Sequence, residues 1–261
     1  MSSPNLTTYA DELYAALRER RPIAPLTSRD ASLNIDDAYQ ISRQLLARRL
    51  RDGERVVGKK TGVTNKLVQA ALSVHQPDFG YLTDAMLFED GAELPISTEL
   101  IAPRAEGEIA FVLERDLKGP GITAQEVLAA TACLRPCFEI VDSRIADWKI
   151  KIQDTIADNA SSGMLVLGRS QVSPRNFDFV TCGMVVWKNA EVLSTGAGAA
   201  ALGSPLNCVA WLANTLGERG ESLAAGDIIL SGSLVPLEPV RAGDLMQLSI
   251  AGIGDASVRF V

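Results

Sequence analysis

EGEIAFVLE (residues 106–114) and CFEIVD (residues 137–142) decide the fold of this chain, because both are apolar runs of strand length that carry acidic residues within them. Side chains two residues apart in a strand point to the same side. Glu106 and Glu108 therefore share one face, whereas the apolar side chains that alternate from Ile109 onward pack on the other. We predict a β-sheet with carboxylates on one of its faces.

Short apolar runs separated by Gly, Asp and Pro continue from residue 55 onward and favour strands joined by turns. Besides the two quoted runs, the candidates are RVVGKK (55–60), GMLVLG (163–168), CGMVVWKN (182–189), GDIILSGS (226–233), DLMQLSI (244–250) and ASVRFV (256–261). Helical spacing returns only at residues 124–132 and 206–216. Since strands do not alternate regularly with helices of crossover length, a doubly wound parallel sheet is disfavoured.

The beginning of the chain has a different pattern. Tyr9, Leu13 and Leu17 recur at helical spacing, a second such series begins at Ile35, and Gly53 is expected to end it. We therefore predict an α+β fold. It divides into a helical N-terminal lobe over residues 1–55 and a β-rich catalytic domain over residues 56–261.

Composition excludes several classes of partner. The chain has 261 residues, 47% of them hydrophobic, and a net charge of -7, which disfavours binding to nucleic acid or to anionic membranes. The longest uncharged stretch, residues 192–217, is interrupted by Gly, Pro and Asn, so no membrane span is expected. The four cysteines lack C-x-x-C spacing, and we expect reduced thiols in a cytoplasmic protein.

Three glutamates are candidate metal ligands. Glu106 and Glu108 would repel each other unless a cation lay between them, and hard cations such as Mg²⁺ or Mn²⁺ take oxygen ligands. Glu139 lies within an otherwise apolar run and would be costly to bury without compensation. The alternative is that the E-x-E pair forms a solvated strand face.

Three further residues are candidates for chemistry or binding. Lys60 ends an apolar strand between two glycines, where desolvation near a metal would lower its pKa for acid/base work, although a surface lysine is the alternative. Asp78 lies in a segment that we predict to be a rigid loop, where it could equally be a turn residue. Ser161 lies among small polar residues and either hydrogen-bonds a substrate carboxylate or is a helix-cap or turn residue.

Four long blocks carry a resemblance that is more specific than any of these patterns. They are VGKKTGVTNKLVQAALSVHQPDFGYL (57–82), PRAEGEIAFVLERDL (103–117), CFEIVDSRIADWKIKIQDTIADNAS (137–161) and TGAGAAALGSPLNCVAWLANTLG (195–217). Together they resemble the 2-keto-4-pentenoate hydratases, also called 2-hydroxypenta-2,4-dienoate hydratases, of the fumarylacetoacetase-like superfamily. The similarity extends from about Asp36 to Val261.

The resemblance implies a fold, a cofactor and a set of site residues. The implied fold is a fumarylacetoacetase C-terminal-like mixed β-roll with a helical N-terminal lobe, and the implied cofactor is Mg²⁺ or Mn²⁺. The family's pattern assigns metal binding to Glu106, Glu108 and Glu139, acid/base catalysis to Lys60 and Asp78, and substrate binding to Leu72 and Ser161.

The resemblance also implies a reaction and partners. The reaction is the addition of water to 2-hydroxypenta-2,4-dienoate to give 4-hydroxy-2-oxopentanoate, a step in the meta-cleavage breakdown of aromatic compounds. A homo-oligomer is expected, and so is association with 4-oxalocrotonate decarboxylase. The alternatives are that the chain is itself such a decarboxylase or a non-catalytic partner subunit, but VHQPDFGYL (74–82) looks more like the hydratases.

Overall fold

Three helices open the part of the chain that the computed structural model describes, which comprises residues 5–71 and 73–261. They are α1 (Leu6–Glu19), α2 (Leu26–Arg29) and α3 (Ile35–Arg51). The side chain of Asn34 accepts a hydrogen bond from the backbone of Asp37, whose carboxylate accepts one from the backbone of Asn34, so the start of α3 is closed by a reciprocal cap. The predicted stop lies just beyond α3, where Gly53 has a φ of 97°.

Strands dominate the rest of the chain, from β1 onward. They are β1 (Val56–Gly62), β2 (Asp78–Thr83), β3 (Leu87–Glu89), β4 (Ala92–Leu94), β5 (Arg104–Leu113), β6 (Thr131–Val141), β7 (Ser162–Leu167), β8 (Gly183–Lys188), β9 (Glu191–Ala197), β10 (Ile228–Leu230), β11 (Glu238–Pro239), β12 (Leu245–Ile250) and β13 (Gly254–Phe260). The helices among them are α4 (Lys66–Ala71), α5 (Ile96–Glu99), α6 (Ala124–Ala130), α7 (Ile152–Ala157) and α8 (Pro205–Glu218). Helix makes up 33% and strand 32%, so the predicted α+β class is confirmed.

The larger sheet runs in the order β2-β1-β10-β5-β6-β7-β3, and β11 also pairs with β5. Its two outermost strands, β2 and β3, are joined in the chain by only Asp84–Met86. The sheet must therefore curl until its edges approach each other. A small buried cluster fills the inside of this roll; its members are Leu82, Met86, Ala110, Cys137, Leu165, Leu167 and Leu230.

The second sheet, in the order β4-β13-β12-β8-β9, packs on the outer face of the roll. The main hydrophobic cluster lies there and also takes in apolar side chains of α1 and α3, such as Leu13 and Ile41. The two faces of the central strands thus differ: Ile109 and Phe111 enter the main cluster, whereas alternate residues face the inside of the roll. Among the described residues, no helix has the length and apolar character needed to cross a membrane.

The structure corrects several details of the sequence interpretation. All eight predicted runs contain strands, but the short strands β3, β4 and β11, and the longer β2 and β9, were not predicted. Asp78 is the first residue of β2 and not part of a loop, because its backbone pairs with Gly62 of β1. The helix predicted at residues 124–132 ends at Ala130, since pairing with β5 begins at Thr131.

Gly58 of β1 pairs with Ile228 of β10 and leaves no room for a side chain, which generates a prediction about the roll. A Cβ atom at this position would lie 1.9 Å from the carbonyl oxygen of Ile228, a backbone atom that cannot move without disturbing the sheet. We expect Gly58→Ala to lower the free energy of unfolding by about 1–3 kcal/mol in urea titrations. Gly183→Ala is the matched control in a strand, because nothing lies within 4 Å of its added Cβ. Equal stability of the two variants would contradict this account.

Candidate metal and substrate site

The pairing of β5 with β6 brings the three predicted metal ligands together. The antiparallel register places Glu106 opposite Glu139 and Glu108 opposite Cys137. One carboxylate oxygen from each of the three glutamates lies within 4.8 Å of the others, on the inner face of the roll. The structure thus excludes the alternative of a solvated strand face, because Glu108 and Glu139 are buried.

These carboxylates lack the partners that buried acids normally have. Glu108 accepts a hydrogen bond through Oε2 from the backbone N–H of Gly232, at 2.8 Å, but its Oε1 has no hydrogen-bond partner among the described residues. Neither oxygen of Glu139 has a partner of hydrogen-bond geometry there either. Buried oxygens left in this way are suited to a hard divalent cation, which would both neutralise and coordinate them.

The electrostatics of the metal-free cluster are unfavourable to its full ionisation. Burial, reinforced by the charge of Glu139, raises the pKa of Glu106 to about 7. Burial, Glu139 and Glu106 together raise the pKa of Glu108 well above the ordinary value of a glutamate. Without a cation, these groups would therefore hold protons in a pH range where exposed glutamates are ionised.

Lys60 of β1 reaches the same cluster from across the sheet. Its Nζ lies 3.0 Å from Oε1 of Glu139, and both side chains are buried. Burial lowers the pKa of the ammonium group, but the charges of Glu139, Asp78, Glu106 and Glu108 outweigh it, so that the pKa is raised overall. In the metal-free site the direction is thus opposite to the one expected for a lysine beside a metal, because four surrounding carboxylates stabilise the ammonium group more than burial destabilises it.

Asp78 lies beside Lys60, because the register of β1 with β2 places it opposite Gly62, on the same face as Lys60. A Cβ atom on Gly62 would come within 2.3 Å of the Asp78 carboxylate, so glycine is required for this approach. Burial raises the pKa of Asp78 to about 6, with a further contribution from Glu139 and an opposing one from Lys60. Such a group changes protonation near neutral pH.

Ser161 belongs to a tight turn that borders the same space. Asn159, Ala160 and Ser161 all have left-handed backbone conformations, with φ between 50° and 55°, which is unfavourable for residues other than glycine. The side chain of Asn159 holds the turn by accepting a hydrogen bond from the backbone N–H of Tyr81 and donating one to its carbonyl. The Ser161 hydroxyl lies 3.4 Å from that of Thr155 on α7.

This turn is also fixed by a buried ion pair between residues that flank it or follow β6. The sequence interpretation missed this pair. Arg144 is almost fully buried and contacts Asp158 through Nε at 2.5 Å, the carbonyl of Asp158 at 2.6 Å and that of Ser162 at 3.0 Å. Breaking one partner of such a pair would leave a charge buried without compensation. The signal in the sequence was an arginine among polar and acidic residues in DSRIAD (142–147), directly after β6.

The site opens into a cavity of about 610 Å³. Its polar wall comprises Lys60, Thr61, Thr64, Asn65, Asp78, Arg104, Glu106, Thr155, Ser161 and Ser233, and its apolar wall includes Leu67, Val68, Val141, Trp148, Ile150, Leu234, Val235 and Leu237. Leu72, predicted to bind substrate, lies outside the described residues. Gly232, which donates to Glu108, was not predicted; its place in GDIILSGS, directly after a buried strand, was the available signal.

Comparisons with known proteins agree with this arrangement. The family profile for the fumarylacetoacetate (FAA) hydrolase C-terminal domain matches residues 55–261. The chain is 64% identical over 220 residues to a 2-hydroxypent-2,4-dienoate hydratase of Pseudomonas putida, covering 84% of this chain and 99% of that protein. It is 53% identical to a 2-hydroxyhexa-2,4-dienoate hydratase of Comamonas testosteroni, covering 98% and 97% of the two chains.

A solved structure gives the same result at the level of the fold. The 4-oxalocrotonate decarboxylase from Pseudomonas putida G7, complexed with magnesium and adipate, superposes with a TM-score of 0.96 at 35% identity, covering 100% of this chain and 99% of that one. The predicted fumarylacetoacetase C-terminal-like fold is confirmed. The chain belongs to the fumarylacetoacetate hydrolase family and, within it, to the 2-keto-4-pentenoate hydratases.

Proposed function

We propose that this protein is a divalent-metal-dependent hydro-lyase that converts 2-hydroxypenta-2,4-dienoate into 4-hydroxy-2-oxopentanoate, in the meta-cleavage breakdown of aromatic compounds. The observation that carries the proposal is the convergence of three glutamates beside Lys60 and Asp78, two of which, Glu108 and Glu139, have buried oxygens without a hydrogen-bond partner among the described residues. The names of the relatives supply the substrate class.

Glu106, Glu108 and Glu139 would hold Mg²⁺ or Mn²⁺. Bound there, the cation would supply Lewis-acid chemistry, namely the stabilisation of negative charge on the 2-oxygen of the substrate. The three glutamates approach from β5 and β6, so the substrate would lie on the cavity side, between the cluster and Lys60, Asp78 and Ser161.

Lys60 and Asp78 would carry out the proton transfers. The dienol must lose the proton of its 2-hydroxyl group and gain one at C5, after which water gives its hydroxyl to C4 and a proton to C3. Asp78, with a pKa of about 6, can accept and return a proton near neutral pH. Lys60, whose pKa is raised in the metal-free site, is protonated before the reaction and would donate a hydrogen bond or a proton to the substrate.

The remaining parts of the proposal concern binding and assembly. Ser161 would hydrogen-bond the substrate, and Leu72 would contact it, as the family pattern implies. We further propose a homo-oligomer, able to associate with 4-oxalocrotonate decarboxylase, and a cytoplasmic location. All four cysteines are free thiols, which supports a reducing compartment.

The reaction itself is tested by incubating the pure protein and Mg²⁺ with 2-hydroxypenta-2,4-dienoate. We expect 4-hydroxy-2-oxopentanoate as the product in proton NMR spectra, and loss of turnover in excess EDTA. A parallel incubation with 2-oxohex-3-enedioate tests the decarboxylase alternative. Release of CO₂ there, without hydration in the first incubation, would reverse the assignment, whereas inertness in both would favour a non-catalytic subunit.

The raised pKa values predict that Mg²⁺ stabilises the protein more at pH 8 than at pH 6. In the metal-free protein, Glu106 holds its proton up to a pH of about 7, whereas an unfolded glutamate releases it near its ordinary pKa. The folded state thus binds more protons between these two values, and its stability falls as the pH rises through that range. Mg²⁺ binds the ionised form and reverses the loss.

Melting temperatures with and without excess Mg²⁺ at the two pH values measure this effect. Glu106→Gln is the control: it should fold but lose most of the Mg²⁺-induced shift and most of the turnover. The same Mg²⁺-induced shift at pH 6 and pH 8, or an undiminished shift in Glu106→Gln, would exclude the carboxylate cluster as the metal site.

Asp78→Asn should separate proton transfer from metal binding. The amide keeps the shape of the side chain but cannot accept the proton, so we expect kcat to fall by about 10²–10⁴-fold. The Mg²⁺-induced shift in melting temperature should persist, because Asp78 is not among the cluster ligands. Asp255→Asn, on the exposed side of β13, is the matched control. Wild-type kcat in Asp78→Asn would rule out Asp78 as a proton carrier.

A further inference from the structure

Arg104 is a positive charge in the cavity to which none of the assigned roles refers. It is the first residue of β5 and lies on the same face as Glu106, two residues further along the strand. Its half-buried side chain lines the cavity. Within residues 5–71 and 73–261, the guanidinium group has no acidic partner within ion-pair distance.

The side chain of Arg104 is held in place by an aromatic platform. Its guanidinium carbon lies 4.6 Å from the centre of the Trp148 ring, a favourable cation–π distance. The indole N–H of Trp148 donates to the carbonyl of Ala102, at 3.0 Å, and the carboxylate of Asp142 accepts hydrogen bonds from the backbone N–H groups of Ala102 and Ile101. The platform and the start of β5 are thus fixed to each other.

The net charge of the site indicates a role for Arg104. Glu106, Glu108, Glu139 and Asp78 carry four negative charges when ionised, against which Lys60 and a divalent cation leave one net negative charge. That net negative charge would repel an anionic 2-hydroxy-dienoate as it enters the cavity. Lys60 and Arg104 are the basic residues that line the described cavity, and Lys60 is already paired with Glu139. Arg104 therefore supplies the balancing charge.

We propose that Arg104 is a substrate-binding residue that draws the anionic substrate into the cavity and binds its 1-carboxylate. The 1-carboxylate has two oxygens, so one could face the cation that the three glutamates would hold while the other accepts a hydrogen bond from a guanidinium N–H. Cα atoms two residues apart in a strand are separated by about 7 Å, a distance that a flexible arginine side chain can span. This inference rests on the proposed function, since it takes the ligand to be a 2-oxo or 2-hydroxy acid.

The experiment measures binding of 2-oxopentanoate, a saturated acid without the alkene to be hydrated, to the Mg²⁺-loaded protein by calorimetry. We expect Arg104→Gln to weaken binding about tenfold or more, as loss of a hydrogen bond to a charged group does. Arg104→Lys should restore part of the affinity, because it keeps the charge but not the planar group. In steady-state assays of Arg104→Gln, KM should rise and kcat should change little.

Arg259→Gln is the matched control, since Arg259 is an exposed arginine on β13. Added salt should weaken binding to the wild type more than to Arg104→Gln. Unchanged affinity for 2-oxopentanoate in Arg104→Gln would overturn the inference. Binding of 2-oxoadipate, which carries a second carboxylate at its far end, is measured in parallel. A loss of affinity confined to 2-oxoadipate would also overturn the inference, because it would assign Arg104 to that distal carboxylate. If the wild type binds 2-oxopentanoate through Arg104 but does not hydrate the dienoate, only the proposed function fails.

Discussion

The repulsion between buried carboxylates on two paired strands is the constraint on which the site depends. The register of β5 with β6 sets Glu106 directly opposite Glu139, and Glu108 lies one pleat further along. Hydrophobic residues there would stabilise the roll at no electrostatic cost. The sheet instead has a face whose charges require a cation, so the metal would contribute to folding stability as well as to chemistry.

The part of the cavity wall that Ser161 forms depends on backbone strain as much as on charge. The left-handed turn Asn159–Ser161 would be unfavourable in isolation, yet it is fixed by Asn159 on one side and by the buried Arg144–Asp158 pair on the other. Strain that the surroundings hold in place keeps Ser161 at the cavity wall. Breaking the ion pair would therefore disturb the turn that carries Ser161 before it disturbs the cluster of three glutamates.

The sequence permits prediction of what depends on local pattern and residue type. Alternation in EGEIAFVLE predicted that Glu106 and Glu108 share a face, and local context made Glu139, Lys60 and Asp78 candidates, to which the resemblance assigned roles. Strand periodicity could not give the register that brings Glu106 opposite Glu139, because register depends on partners distant in the chain. It also could not give the raised pKa of Lys60, which comes from four carboxylates on three other strands.

The residue between the two glutamates of β5 shows why the second sheet matters to the site. Gly107 faces outward, where an added Cβ would lie 2.5 Å from Sδ of Met184 and 3.3 Å from a methyl carbon of Leu248. The second sheet thus packs directly against the backbone that carries Glu106 and Glu108. Since that backbone sets the spacing of the carboxylates, the outer sheet helps to define the geometry available to the cation, although it contributes none of the three cluster glutamates.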